Sequence, residues 1–121
     1  MTKTILAVDD SQSIRKFITL ALKVRGFRVL TADDGMKALE QLPLQEIDLL
    51  ITDLNMPNVD GFELIRSVRA IEEYRELPII VLSSLSSNDD IQRGLDLGAN
   101  SYLIKPFNTK KIQYEVSKYL S

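Results

Sequence analysis

Short apolar runs alternate with amphipathic segments along this chain, and several of the runs end in charge. Ile5-Leu6-Ala7-Val8 leads into Asp9-Asp10; Ile47 to Thr52, whose only charge is Asp48, leads into Asp53; Leu103-Ile104 leads into Lys105, with Pro106 behind it. If these runs are parallel strands of one sheet, their carboxyl ends lie along one edge, which is where open α/β sheets bind ligands. That edge then carries the carboxylates of Asp9, Asp10 and Asp53 and the ammonium of Lys105. Carboxylates about 4 Å apart repel by roughly 4 kcal/mol per pair at an effective dielectric near 20, so the cluster needs a compensating cation. It reads as a site for a hard divalent metal that prefers oxygen ligands.

The rest of the pattern supplies the scaffold. Thr4 to Val8 reads as the first strand. Ser11 or Ser13 can cap a helix with Ile14, Phe17, Ile18, Ala21 and Leu22 on one face, and Gly26 ends it. Arg28 to Thr31 is a second strand, followed by a helix over Met36 to Leu42 with Ala38, Leu39 and Leu42 inward. Ile47 to Thr52 is a central strand, and beyond its loop a helix turns Phe62, Ile65, Val68 and Ile71 inward. Pro78 to Leu82 is a fourth strand, and a helix from about Asn88 to Leu97 presents Ile91 and Leu95. Tyr102 to Ile104 is the fifth strand, and Thr109 caps a last helix with Ile112, Val116 and Tyr119. Five strand–helix units imply an α/β fold with a parallel sheet covered on both faces, and residues 1–121 as one domain without an output domain.

Composition removes whole classes of chemistry. At 121 residues, 45% hydrophobic and 26% charged, the chain suits one sizeable core. A net charge of −2 with no basic cluster in the sequence argues against nucleic acid. No apolar stretch approaches the length needed to span a bilayer and no signal peptide is present, so a cytoplasmic location is expected. The absence of cysteine excludes disulfides, and the absence of histidine excludes an imidazole base, a serine triad and histidine-ligated zinc.

Across nearly its whole length the chain resembles the receiver domain of two-component response regulators, specifically the single-domain, CheY-like members. The motifs that carry the resemblance occur in the family's order: Asp9-Asp10; Asp53 with Asn55-Met56-Pro57 and Asp60-Gly61; Ser83-Ser84; Tyr102; and Lys105-Pro106-Phe107. The resemblance implies a doubly wound, flavodoxin-like sheet of order 2-1-3-4-5 with five helices.

It also implies roles. Asp53 is expected to accept a phosphoryl group from the phosphohistidine of a histidine kinase or histidine phosphotransfer protein. Asp9, Asp10, Asp53 and the main-chain carbonyl of Asn55 are expected to hold Mg²⁺, with Mn²⁺ as a substitute. Lys105 and Ser83 would bond phosphoryl oxygens, and a cis peptide is expected before Pro106. Ser83 and Tyr102 would form the switch. The expected output face comprises the fourth helix, fifth strand and fifth helix, including Gln92, Asp96, Tyr102, Gln113 and Lys118, in a monomer whose target is chemotaxis-like. Leu85 is expected to hinder water approaching the acyl phosphate.

Rival readings meet specific residues. An FMN carrier of the same sheet order needs a hydroxyl- and glycine-rich phosphate loop where this chain has Asp9-Asp10-Ser11, which would repel phosphate. A Mg²⁺-dependent aspartyl phosphatase usually has a second acid two residues after its nucleophile, where this chain has Asn55. A phosphorelay intermediate remains the alternative within the family.

Overall fold

The computed structural model describes residues 2–120. Thr4–Val8 (β1), Arg28–Ala32 (β2), Leu49–Thr52 (β3), Ile79–Ser83 (β4) and Ser101–Ile104 (β5) form one sheet in the order β2-β1-β3-β4-β5, with every pairing parallel. Gln12–Lys23 (α1), Gly35–Gln41 (α2), Gly61–Ala70 (α3), Asn88–Leu97 (α4) and Thr109–Ser117 (α5) each follow one strand. This is the expected doubly wound topology, with its switch point between β1 and β3.

Side chains alternate across the sheet because a strand has a period of two. Leu6, Val8, Leu50, Ile79 and Val81 join the core beneath α2, α3 and α4, whereas Ile5, Ala7, Ile51, Ile80 and Leu82 join the core beneath α1 and α5. Every residue of β1, β3 and β4 is buried. Burial on both faces accounts for the unbroken apolar runs in the sequence.

Each helix is started by a side chain that accepts a first-turn amide otherwise lacking a partner: Ser11, Asp34, Asp60, Ser87 and Asn108 for α1 to α5 in turn. The last of these corrects the expectation for Thr109, which is the first helical residue of α5; the Asn108 side chain takes the Lys111 amide at 2.8 Å.

The third strand also starts later than the apolar run suggests. The Asp48 carboxylate receives the Thr4 amide at 2.8 Å, the donor a strand carbonyl would otherwise accept, and the regular strand begins at Leu49. Two residues expected inward face out: Ile71 is 40% exposed and Leu95 39%. Ile71 lies past the end of α3 with extended backbone, so helical periodicity no longer applies to it. The buried stripe of α4 passes through Gly94, which leaves Leu95 to one side.

Candidate functional site

Asp9, Asp53 and Lys105 each stand one residue beyond a strand, and their amides extend the ladder of hydrogen bonds. Asp9 N–H donates to Ala32 O at 3.1 Å, Asp53 N–H to Val8 O at 2.9 Å and Lys105 N–H to Ser83 O at 2.8 Å. Strand pairing thus fixes the backbone beneath all three charges. Carboxylate oxygens of Asp9, Asp10 and Asp53 lie within 4.8 Å of one another. Lys105 Nζ sits 3.0 Å from Asp9 Oδ2 and 3.5 Å from Asp53 Oδ2.

The charges do not balance. Asp9 and Asp53 are buried while Asp10 is exposed, and one ammonium serves the two buried carboxylates. The remaining acceptor capacity is partly met by main-chain donors: Ser11 N–H to Asp9 Oδ1 at 2.9 Å and Leu54 N–H to Asp53 Oδ1 at 2.7 Å. Burial pushes the Asp53 pKa above its ordinary value; Lys105 pulls it back and Asp9 pushes it further up. An all-oxygen donor set with surplus negative charge fits a hard divalent cation such as Mg²⁺.

The loop after Asp53 is folded tightly onto it. Gly61 N–H donates to Leu54 O at 2.9 Å, and a Cβ at Gly61 would overlap the main chain of Asp53 and Leu54, so only glycine fits. Farther along this loop, Asn58 takes a left-handed conformation (φ 63°), and its Nδ2 donates to Asp34 Oδ2 at 2.9 Å. Asp34 also accepts the Lys37 amide, and these two bonds, the amide's first, hold its pKa below the usual carboxylate value.

Ser83 ends β4 and is fully buried; its Oγ accepts the Leu85 amide at 3.1 Å. Tyr102, on β5, donates its hydroxyl to the Leu85 carbonyl at 2.6 Å. The Tyr102 ring packs beside Gly94, where an added Cβ would lie 3.4 Å from two ring carbons. Burial raises the Tyr102 pKa, so the phenol stays a donor at neutral pH.

The structure therefore brings Asp9, Asp10, Asp53 and Lys105 together, and it joins Ser83 to Tyr102 through the main chain of Leu85. The Leu85 side chain packs against the core beneath α2, α3 and α4. Asn55 is exposed in the loop after Asp53, and the Lys105-Pro106 peptide is cis, as expected. Gln92 and Asp96 are exposed on α4 and bonded to each other at 2.7 Å, and Lys118 pairs with Glu115. Gln113 departs from the expected output face: its Nε2 donates to Ala21 O, so it is turned toward α1. The bond between Asp34 and Asn58 was not foreseen; Asp34-Gly35 at a helix start was the available signal.

Residues 5–117 match the response regulator receiver domain family. The chain is 36% identical over 115 residues to the chemotaxis protein CheY of Pseudomonas aeruginosa, covering 94% of this chain and 93% of that protein. A solved structure of the Vibrio cholerae chemotaxis protein CheY4 superposes with a TM-score of 0.94 at 37% identity, covering 99% of this chain and 100% of the other. The receiver domain of the sensor histidine kinase PA1611 from Pseudomonas aeruginosa PAO1, solved with a magnesium ion coordinated in its active-site cleft, matches with a TM-score of 0.90 at 31% identity over 98% of each chain. With strand order, strand-end charges and these matches in agreement, the chain belongs to the response regulator receiver domain family, and its form is CheY-like. Receiver domains are signalling proteins of two-component systems. Among the described residues, no helix is long and apolar enough to cross a membrane.

Proposed function

We propose that Asp53 is the phosphoacceptor of a chemotaxis-like signalling protein, taking its phosphoryl group from a histidine kinase or a histidine phosphotransfer protein. The observation that carries this reading is the convergence of Asp9, Asp10 and Asp53 oxygens within 4.8 Å, beside a lysine facing two of them. A carboxylate oxygen of Asp53 attacks phosphorus in line, the bond from phosphorus to the histidine nitrogen breaks with its electron pair going to that nitrogen, and an acyl phosphate forms on Asp53. Asp9, Asp10, Asp53 and the Asn55 main-chain carbonyl would hold Mg²⁺ or Mn²⁺. The ion supplies neutralisation of charge that would otherwise repel the phosphoryl group.

The chain's own groups do the rest. Lys105 offers its ammonium to one phosphoryl oxygen. Ser83, whose oxygen accepts the Leu85 amide, would turn its hydroxyl proton to another. That donation draws on the Ser83–Leu85–Tyr102 chain and biases the face formed by α4, β5 and α5 toward a target protein. The receiver domain works in the cytoplasm as a monomer that assists gain and loss of its phosphoryl group without turning over an external substrate.

Incubation with acetyl phosphate and Mg²⁺ tests the assignment. Intact-mass analysis should show one added phosphoryl group on the wild type and none on Asp53→Asn. Equal labelling of that variant would remove Asp53 from the role.

A further inference from the structure

The two helical layers differ in how their cations are satisfied. Among the described residues, Lys37, Arg66 and Arg75 on the side of α2 and α3 pair with Asp33, Glu63 and Glu72, Arg69 donates to the Gly98 and Tyr74 carbonyls, and Arg93 lies over the Phe62 ring. In the layer of α1 and α5, by contrast, Lys16, Lys23, Arg25, Lys110 and Lys111 have no carboxylate within 4.0 Å among the described residues; Glu115 is the single acid of the two helices and is taken by Lys118. Two of these cations, Arg25 and Lys110, are more than eighty positions apart in the sequence and come to line one groove on folding.

Part of this layer is concave. A groove of about 690 Å³ runs beside α5 and the end of α1, lined by Arg25, Phe27, Lys110, Tyr114 and Leu120 among others. Its apolar surface comes from half-buried Phe27, buried Leu120 and Tyr114, which is 63% exposed, while Arg25 and Lys110 place cations along it. Phe27 and Leu120 lie away from the phosphoryl edge: Phe27 directly precedes the first residue of β2, and Leu120 follows the end of α5.

We propose that this groove, on the side of α5 turned toward α1 and away from α4, is a second docking surface, and that its occupant is an acidic amphipathic segment of a partner protein. Apolar side chains of the segment would cover Phe27, Tyr114 and Leu120. Its carboxylates would supply the counter-charges that Arg25 and Lys110 lack within the described chain. Apolar contact provides the affinity, and complementary charge sets orientation and partner choice. The inference does not depend on phosphorylation of Asp53.

The probe is a synthetic helical peptide with Leu and Phe on one face and Glu on the other, titrated into the isotopically labelled full chain at low and high salt. Amide shifts should concentrate at Arg25, Phe27 and Tyr114, and affinity should fall with salt. The double variant Arg25→Glu, Lys110→Glu should bind about tenfold more weakly or worse, a loss of about 1.4 kcal/mol or more, while its unliganded spectrum shows an intact fold and acetyl phosphate still labels it. Equal binding of a Lys-for-Glu version of the peptide overturns the proposal. So do unchanged affinity in the double variant and shifts confined to another surface. Binding to phosphatidylglycerol vesicles with no response to the acidic peptide also overturns it, assigning the layer to a lipid surface.

Discussion

The Tyr102 hydroxyl and the Leu85 carbonyl are joined by a 2.6 Å hydrogen bond, while the amide of the same Leu85 donates to Ser83 Oγ. Leu85 therefore connects the strand end beside the acidic cluster with the aromatic ring packed under α4. The link runs through main-chain atoms, so it survives any side chain at position 85 that leaves the loop in place.

Removing the phenol should cut this link without disturbing the core. Tyr102→Phe is expected to lose about 1 kcal/mol of stability in urea melts and to accept phosphate from acetyl phosphate at an unchanged rate. Phosphorylation-dependent amide shifts in α4 should shrink. Retention of the full wild-type shift pattern would show that the signal travels another way.

Asp53→Asn should stabilise the protein at neutral pH. Burial holds the folded pKa of Asp53 above its ordinary 3.8, so the folded chain keeps this proton to higher pH than the unfolded chain does. Ionisation therefore removes stability as pH rises from about 3.8 through the folded value, and below both values the group contributes no difference. Melts across that range should show the gain from Asp53→Asn growing with pH and then levelling, and Mg²⁺ should shrink it. A variant less stable than wild type at pH 7 contradicts the sign.

Lys105→Ala leaves the Asp9 and Asp53 carboxylates, both buried, without their cation. Loss of one partner from such a group costs about 3 kcal/mol. Adding Asp53→Asn should recover much of that loss, and a double-mutant cycle reads the coupling directly. Strict additivity of the two changes would mean that the 3.5 Å approach of Lys105 to Asp53 carries little energy.

Gly94 separates helix propensity from packing. Alanine favours a helix interior over glycine by about 1 kcal/mol, and its Cβ would meet the Tyr102 ring at 3.4 Å, an ordinary contact. Gly94→Ala should fold with equal or greater stability and keep the bond from Tyr102 to Leu85. Gly94→Val should push the ring aside and lower the melting temperature. Equal melting temperatures for the two variants would show that the ring yields freely.

The sheet and its charged edge were legible because both depend on local order in the sequence. An apolar run that stops at Asp9, Asp53 or Lys105 encodes the strand and the position of the charge together. Elements that depend on competition between neighbours were less legible. Asn108 and Thr109 are both credible caps, and the 2.8 Å bond to Lys111 decides for Asn108. The carboxylate of Asp48 displaces a strand carbonyl that the pattern Ile47 to Thr52 had suggested. Contacts made by main-chain atoms left no residue-type signal, which is why the Leu85 bridge was invisible. The groove escaped for a different reason: Arg25 and Lys110 come to line it only once α1 and α5 pack on the same side of the sheet.

The three ladder bonds that hold the amides of Asp9, Asp53 and Lys105 bear on which motions this protein can use. Exchange of those hydrogens with solvent requires opening at the strand ends, which draws on the more stable part of the fold, whereas loop amides exchange through small local fluctuations. In deuterium exchange these three residues should therefore behave like interior strand, protected for far longer than loop residues 84–86 next to them. A change in occupancy at this edge would then register as altered exchange in the loop and in α4, with the supporting backbone nearly silent.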